Sequence, residues 1–517
     1  MGSDRGNHSW VLVGACLSIF LLLATLNLSA PWDNRHKGWG GGQLAGFAFQ
    51  HLKHGFRDTM GGNLWNVGFM TEDGARYIYY YNHPPGLGIL VACSMFILGE
   101  SESSVRIVPI LLNLLFIFFM YLFARKLWCR RVAVISIFVL VFDSHFFYIR
   151  DFVTTSVSVL VFIMASMYFY ARWLEKESNR NLFLLISAIA FGSIFDWQIF
   201  FIIPPILLHY LLFVKKPVKS YRVFLVLPLS ILFFIAQMSY ILFIIHANEL
   251  VTPGSPGENI MGRIRYRTMS SLSVAERISV YKRLGGVLKI QFMESSTPPI
   301  IIALLLFLGY YFNGLFQGGM RRESLLVFVF LSYFSWMLVF VNSYLVHRFF
   351  FFLFLPTIPV MTGVILGHFW EKRLFLGNHL SDRELKIIYI LLIALFFSNY
   401  LGYNLNNFER IRQYDHDVTR FSKFLSETDE DVILSFKTHR DSHNIRYYLN
   451  NRQVVQASSW EDLSNITSRE NKFKYYIVDI ESTSERFRKH LNKNYGRIEL
   501  GDITKGKKHS EIRAYVL

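Results

Sequence analysis

The sequence predicts a multi-pass α-helical membrane protein with a small soluble α/β domain at its C-terminal end. Three observations predict it. Of 517 residues, 52% are hydrophobic and only 17% charged, against about 25% charged in a soluble chain. The apolar residues gather in runs long enough to cross a bilayer, where about 20 residues are needed. Beyond residue 404 those runs stop, and short apolar strands at 432–436 and 475–480 alternate with helical stretches such as 483–494.

Eleven runs read as spans: 10–30, 107–124, 132–149, 153–171, 181–195, 198–214, 223–246, 298–316, 324–341, 349–368 and 387–403. The first is too long and too weakly basic in front to be a cleaved signal peptide, and is expected to stay as an anchor. A twelfth run, 84–98, is only 15 residues long and opens on Pro84-Pro85. A run of that length suits a re-entrant or juxtamembrane helix. Charge settles its place, because cytoplasmic loops are enriched in Lys and Arg. If 84–98 does not cross and the N-terminus is inside, the basic loops 125–131, 172–180, 215–222, 321–322 and 372–386 all fall on the inner side. The outside then receives long loops at 31–106 and 247–297 and the tail. The expected domains are 1–404 in the membrane and 405–517 outside it.

The mean hydropathy of +0.31 and the 50 Phe, 27 Tyr and 10 Trp exclude a disordered or collagen-like chain. The net charge of +16 needs no nucleic acid, since inner loops and surface carry much of the excess. Cys16, Cys93 and Cys129 have no partner at a spacing that marks a metal site or disulfide framework. No glycine-rich phosphate loop or metal-binding His/Glu helix motif occurs.

Candidate site residues cluster at the outer ends of the spans, where ionisable groups at membrane depth mark function. Asp143 and His145 fall inside the third run and Asp151 follows Arg150. A paired structural role is expected for Asp143, and an interfacial anchor or cap competes with function at Asp151. Asp196-Trp197 occupies a tight outer turn, where an aspartate also caps the next helix. His83 stands between three tyrosines at 79–81 and two prolines that fix its backbone. Aromatic and polar groups together suit a sugar or lipid headgroup, and suit an aromatic belt as well. His347-Arg348 opens the last Phe-rich run, and an arginine fork there fits a lipid phosphate or snorkels as an anchor. Arg263, Arg265 and Arg267 read as a solvated loop.

The order of Gly38-Trp39-Gly40-Gly41-Gly42, Leu52-Lys53-His54-Gly55-Phe56, His83-Pro84-Pro85-Gly86, Leu98-Gly99-Glu100-Ser101-Glu102, Arg106, Ala124-Arg125-Lys126-Leu127, Tyr148-Ile149-Arg150 and Asp196-Trp197 resembles the GT-C membrane glycosyltransferases. The nearest likeness is to bacterial relatives of protein O-mannosyltransferases and aminoarabinose transferases, over roughly residues 10–370. The resemblance implies inverting transfer of a hexosyl- or pentosyl-type sugar from a polyprenyl-phosphate donor to a glycan, lipid or protein acceptor. It implies a bacterial cytoplasmic (inner) membrane with the site outside. It implies a carboxylate of the first external loop acting as base, and a basic residue stabilising the leaving phosphate. No cofactor is implied, and a divalent cation is left open.

The position after Trp39, acidic in many relatives, falls here in Gly40-Gly41-Gly42. The candidate bases are therefore Asp33 first and Asp151 second, with Asp58 the next downstream carboxylate. His83, Asp196, Trp197, His347 and Arg348 are the candidate substrate contacts. The glycines are expected to let the backbone approach the sugar. A non-catalytic subunit that binds lipid-linked sugar is the competing reading, favoured by the glycine run. A lipid-linked sugar transporter is a third, but it calls for internal repeats and broken helices, which the sequence does not display.

Overall fold

The computed structural model describes residues 8–30, 32, 36–71, 74–214, 221–251, 265, 267–270, 272–295, 298–316 and 321–370. In the tail it describes 431–435, 454–457, 463, 473–479, 489, 491–493, 496–505 and 508–516. Ten of the eleven expected spans coincide with helix; the eleventh, 387–403, lies outside the described residues. The chain is a multi-pass helical membrane protein. Four of its described helical stretches have the length and apolar composition to cross a bilayer, Glu102–Leu127, Thr155–Glu175, Tyr221–Ala247 and Arg322–Val339, with shorter apolar helices among them.

Helix α1 (His8–Thr25) leads to α2 (His36–Asp58), which lies in the long loop 31–106. A hairpin of β1 (Leu64–Thr71) and β2 (Gly74–Tyr79) follows, then α3 (Gly86–Leu98). Its 13 residues rise about 20 Å at 1.5 Å each, short of the roughly 30 Å hydrocarbon layer. Helix α4 (Glu102–Leu127) starts on a capping box, in which Ser101 and Ser104 each accept the other's backbone N–H.

The expected span 132–149 is two helices, α5 (Arg130–Val141) and α6 (Ser144–Ile149). Asp143 between them takes the Phe146 N–H at 2.8 Å. Its role is a helix cap, which answers the cost of a carboxylate at that depth without a second charge. The break is of the kind a transporter reading called for; here it turns the chain towards the outer loops. The next run likewise divides into α7 (Thr155–Ser158) and α8 (Leu160–Glu175). Helix α9 (Asn179–Phe195) and α10 (Ile203–Phe213) flank a 3₁₀ turn, Trp197–Ile202. Helix α11 (Val226–Ala247) exposes Leu227, Ile231, Leu232, Ile235 and Phe243 along its length. The helices Val274–Ser295, Pro298–Phe316, Arg321–Val339, Val341–Val346 and Ile358–Trp370 complete the described bundle.

Contacts between loops define two ends. At one, Lys126 pairs with Glu175, Arg222 donates to Asn179 at 3.0 Å, and the Trp128 indole donates to Glu323 at 2.8 Å. These join residues of the basic loops 125–131 and 172–180 to those bordering 215–222 and 321–322. At the other, Asn248 donates to the Asp58 carbonyl at 3.1 Å and Tyr240 to the Met60 carbonyl.

The tail strands do not form a sheet by themselves. With β3 (Asp431–Ser435), β4 (Val454–Ala457), β5 (Phe473–Asp479), β6 (Gly496–Lys505) and β7 (Lys508–Val516), the first-loop hairpin makes one seven-stranded sheet of order β2-β1-β4-β3-β5-β7-β6. β1 meets β4 in parallel at Gly68↔Val455. On the other side of β2, Tyr77 bridges Val251 from the start of the second long loop. Three segments distant in sequence thus share one backbone layer.

Candidate functional site

Two part-buried pairs, a lysine–aspartate ion pair and a histidine–aspartate hydrogen bond, stand at this second end, linked by residues 151–156. In the first, Lys37 Nζ lies 2.5 Å from Asp151 Oδ1 and 5.1 Å over the Tyr148 ring. Burial pushes the Asp151 carboxyl up. The charge and hydrogen bond of Lys37, with the charges of Arg150 and Arg106, overcome this and hold it at about 2. Both arginines are buried and bonded to backbone. Arg150 Nε donates to the Leu23 carbonyl at 2.8 Å. Arg106 donates to the carbonyls of Leu28, at 3.0 Å, and Ala30, and its guanidinium lies 4.1 Å from the centre of the Trp32 ring. Three cations therefore surround one carboxylate, a setting that draws in an anion. A carboxyl near 2 is ionised at any working pH but is a weak proton acceptor.

In the second pair, His83 Nδ1 lies 3.0 Å from Asp196 Oδ2. The Ser156 hydroxyl donates to the same oxygen at 2.6 Å, and the Gln198 N–H donates to Oδ1 at 3.1 Å. Burial raises the Asp196 carboxyl; His83, Ser156 and Gln198 outweigh it and hold it below its ordinary value. The His83 ring stacks on Tyr80 at 6.0 Å. Tyr80 in turn packs against Phe47 and Trp65 at 5.1 and 5.5 Å. The result is an aromatic wall beside the histidine–aspartate pair. Ser156 stands five positions after Asp151, so one short segment carries a member of the first pair and a hydrogen-bond donor to the second.

Of the expected residues, the structure brings together His83 with Asp196, and Asp151 with the first loop. His347 also comes near that loop, its ring 6.3 Å from Trp39. Arg348 opens a 3₁₀ turn, Arg348–Phe354, and its side chain lies outside the described residues, as does Asp33. Trp197 is engaged elsewhere: its indole donates to Gln237 of α11 at 3.2 Å. Asp58 is exposed on the surface of the external loop. Sequence reasoning missed Lys37 and Ser156, which stand in no recognisable motif. His145 packs edge-on to Phe351 at 5.4 Å.

The glycine run has a different use from the expected one. A Cβ on Gly41 would lie 2.0 Å from the Trp32 ring, and one on Gly40 would lie 2.8 Å from the Val153 carbonyl. These two glycines let α2 close on protein, not on a sugar. Among the described residues, no group of three His, Cys, Asp or Glu side chains is placed to hold a metal ion.

A family profile described as dolichyl-phosphate-mannose-protein mannosyltransferase matches residues 82–240, the stretch that supplies His83, Arg106, Arg150, Asp151, Ser156 and Asp196. No curated protein sequence matches the chain. Among solved structures, ArnT from Cupriavidus metallidurans bound to undecaprenyl phosphate is similar at a TM-score of 0.60 and 12% identity, covering 99% of this chain and 98% of that one. The Archaeoglobus fulgidus oligosaccharyltransferase AglB, in complex with an inhibitory peptide and a dolichol-phosphate, is similar at 0.51 and 12% identity, covering 97% and 74%. The chain has the GT-C fold of these membrane glycosyltransferases.

Proposed function

We propose that the chain is a glycosyltransferase that moves a sugar, with inversion, from a polyprenyl-phosphate donor to an acceptor hydroxyl outside the cytoplasm. The observation that carries this reading is a surplus of positive charge, buried at Arg106 and Arg150 and part-buried at Lys37. Lys37, Arg106 and Arg150 face a single carboxylate, Asp151, within one turn of the His83–Asp196 pair. A departing phosphate needs stabilisation as its charge develops, and fixed cations in a water-poor site supply it. The two similar structures bound to undecaprenyl phosphate and dolichol-phosphate support a lipid-phosphate donor.

Asp151 serves this scheme by holding Lys37 in place, and its low pKa argues against its use as base. His347, beside Trp39, and the adjoining Arg348 are assigned to the donor phosphate. The basic loops gathered at the opposite end support an inner face there, in a bacterial cytoplasmic membrane, with the site and tail outside. The glycine run, which favoured a non-catalytic subunit, is accounted for by packing against Trp32 and Val153. A charge-assisted contact contributes about 1.5–3 kcal/mol, so Lys37→Ala and Arg348→Ala should each weaken donor use by roughly tenfold to a hundredfold. The assay is release of undecaprenyl phosphate from an undecaprenyl-phosphate-linked sugar. Unchanged donor kinetics in both variants would contradict the reading.

A further inference from the structure

We propose that His83 is the general base of this reaction, with Asp196 as its orienting partner. The proposal rests on the transferase reading above and sets His83 against Asp33, the first-loop carboxylate that lies outside the described residues. It starts from hydrogen-bond accounting. An ionised carboxylate only accepts. Asp196 accepts the Gln198 N–H on Oδ1, and the Ser156 hydroxyl and His83 Nδ1 on Oδ2. Nδ1 therefore carries a hydrogen, and in the neutral imidazole, the form a base requires, the lone pair is on Nε2. No hydrogen bond to Nε2 occurs among the described residues.

Access follows the same division of labour. The Asp196 side chain is 5% exposed and the His83 side chain 21%, so the orienting carboxylate is sealed and the imidazole can be reached. Rigidity comes from sequence: Pro84-Pro85 fixes the backbone after His83, and Gly86 fits where a Cβ would lie 2.6 Å from the Ile194 carbonyl. That contact packs the start of α3 against the end of α9, next to Asp196. The Tyr80–Trp65–Phe47 wall borders the imidazole and offers a seat for the acceptor. Asp151, the other carboxylate of the site, is engaged by Lys37 and is a weak proton acceptor.

The step balances as follows. Nε2 takes the proton of the acceptor hydroxyl. The acceptor oxygen forms a bond to C1 of the sugar as the C1–O bond to phosphate breaks. Polyprenyl phosphate leaves with the electron pair, its charge met by the Lys37 cluster. Asp196 stabilises the imidazolium, which then returns its proton to water.

The purified full-length protein is assayed in lipid nanodiscs with a panel of radiolabelled undecaprenyl-phosphate-linked hexoses and pentoses and an alkyl glycoside as acceptor. Both sugar transfer and undecaprenyl phosphate release are followed. General-base catalysis contributes about 10²–10⁴-fold, so His83→Ala should lose transfer by that factor. Added imidazole should restore part of it, which a merely structural role would not permit. His83→Asn keeps an N–H for Asp196 while removing the base; it should fold, melt like the parent and remain inactive, which covers a failure of His83→Ala to fold. Asp196→Asn should lose activity that imidazole does not restore. Transfer within threefold of the parent in His83→Asn would overturn the proposal. So would a loss in His83→Ala that imidazole leaves unchanged, or a loss in Asp33→Asn that formate restores, which assigns the base to Asp33. A parent protein inactive with every donor overturns the transferase reading itself, and the assignment of a base with it.

Discussion

At the scale of single residues, Asp151 makes the sharpest prediction for stability. Its carboxyl is held at about 2 against an ordinary 3.8. A carboxyl whose pKa is depressed by folding stabilises the fold above its unfolded value, and that contribution is lost as pH falls through the folded value. The melting-temperature difference between the parent and Asp151→Asn should be full above about pH 4 and vanish towards about pH 2. A difference that ignores pH across that window would contradict the ion pair. Gly41 gives a second test. A Cβ 2.0 Å from the Trp32 ring forces Trp32 off the Arg106 guanidinium, and overpacking costs about 1–3 kcal/mol. Gly41→Ala should lower the melting temperature and reduce transfer; full stability would place Trp32 elsewhere. His83, Asp151 and Asp196 were each legible in the sequence as polar groups at span ends. Their partners were not: Lys37 lies 114 residues from Asp151 and His83 lies 113 from Asp196, and no local pattern records a contact over such a distance. The glycines were legible as a requirement for close approach, but the sequence could not say to what.

Among the elements, helices were legible because membrane helices announce themselves by composition, and ten expected spans are helical. What composition conceals is where a span breaks. Residues 132–149 are apolar enough to read as one helix, yet Asp143 caps a new one there. The aspartate was noticed for its charge, and its capping use depends on backbone geometry that hydropathy does not encode. The start of α4 is a clearer signal. The Ser101 and Ser104 side chains each satisfy the other's backbone N–H, so Ser101→Ala should destabilise the fold by about 1 kcal/mol. Reversible unfolding in mixed micelles measures it. An effect close to zero would mean that this end of α4 frays without consequence.

For the molecule as a whole, charge led to the expectation of basic loops on one side, and residues of 125–131 and 172–180, with Arg222 and Glu323, do meet at one end; loop 372–386 lies outside the described residues. The joining of the first loop to the tail was not legible. A hairpin at 64–79 and strands beyond 430 carry no mark of pairing, since parallel neighbours share backbone hydrogen bonds rather than a sequence motif. Cysteines at Gly68 and Val455, paired across β1 and β4, should form a reducible cross-link on oxidation, seen as a shift in non-reducing electrophoresis. Failure to cross-link would separate the tail sheet from the first loop. Sidedness is tested by labelling single cysteines at Lys126 and Asn450, which should report opposite faces of the membrane; same-side labelling would contradict the assignment of an inner face to the basic loops.

The central claim is sugar transfer from a lipid phosphate, and one measurement tests it most directly. The purified parent protein in lipid nanodiscs is given radiolabelled undecaprenyl-phosphate-linked sugars with and without an acceptor, and the label is followed. Acceptor-dependent release of undecaprenyl phosphate matched mole for mole by labelled acceptor is expected, with both falling roughly tenfold to a hundredfold in the Lys37→Ala variant. Donor left intact by the parent protein with every sugar and acceptor supplied would contradict it.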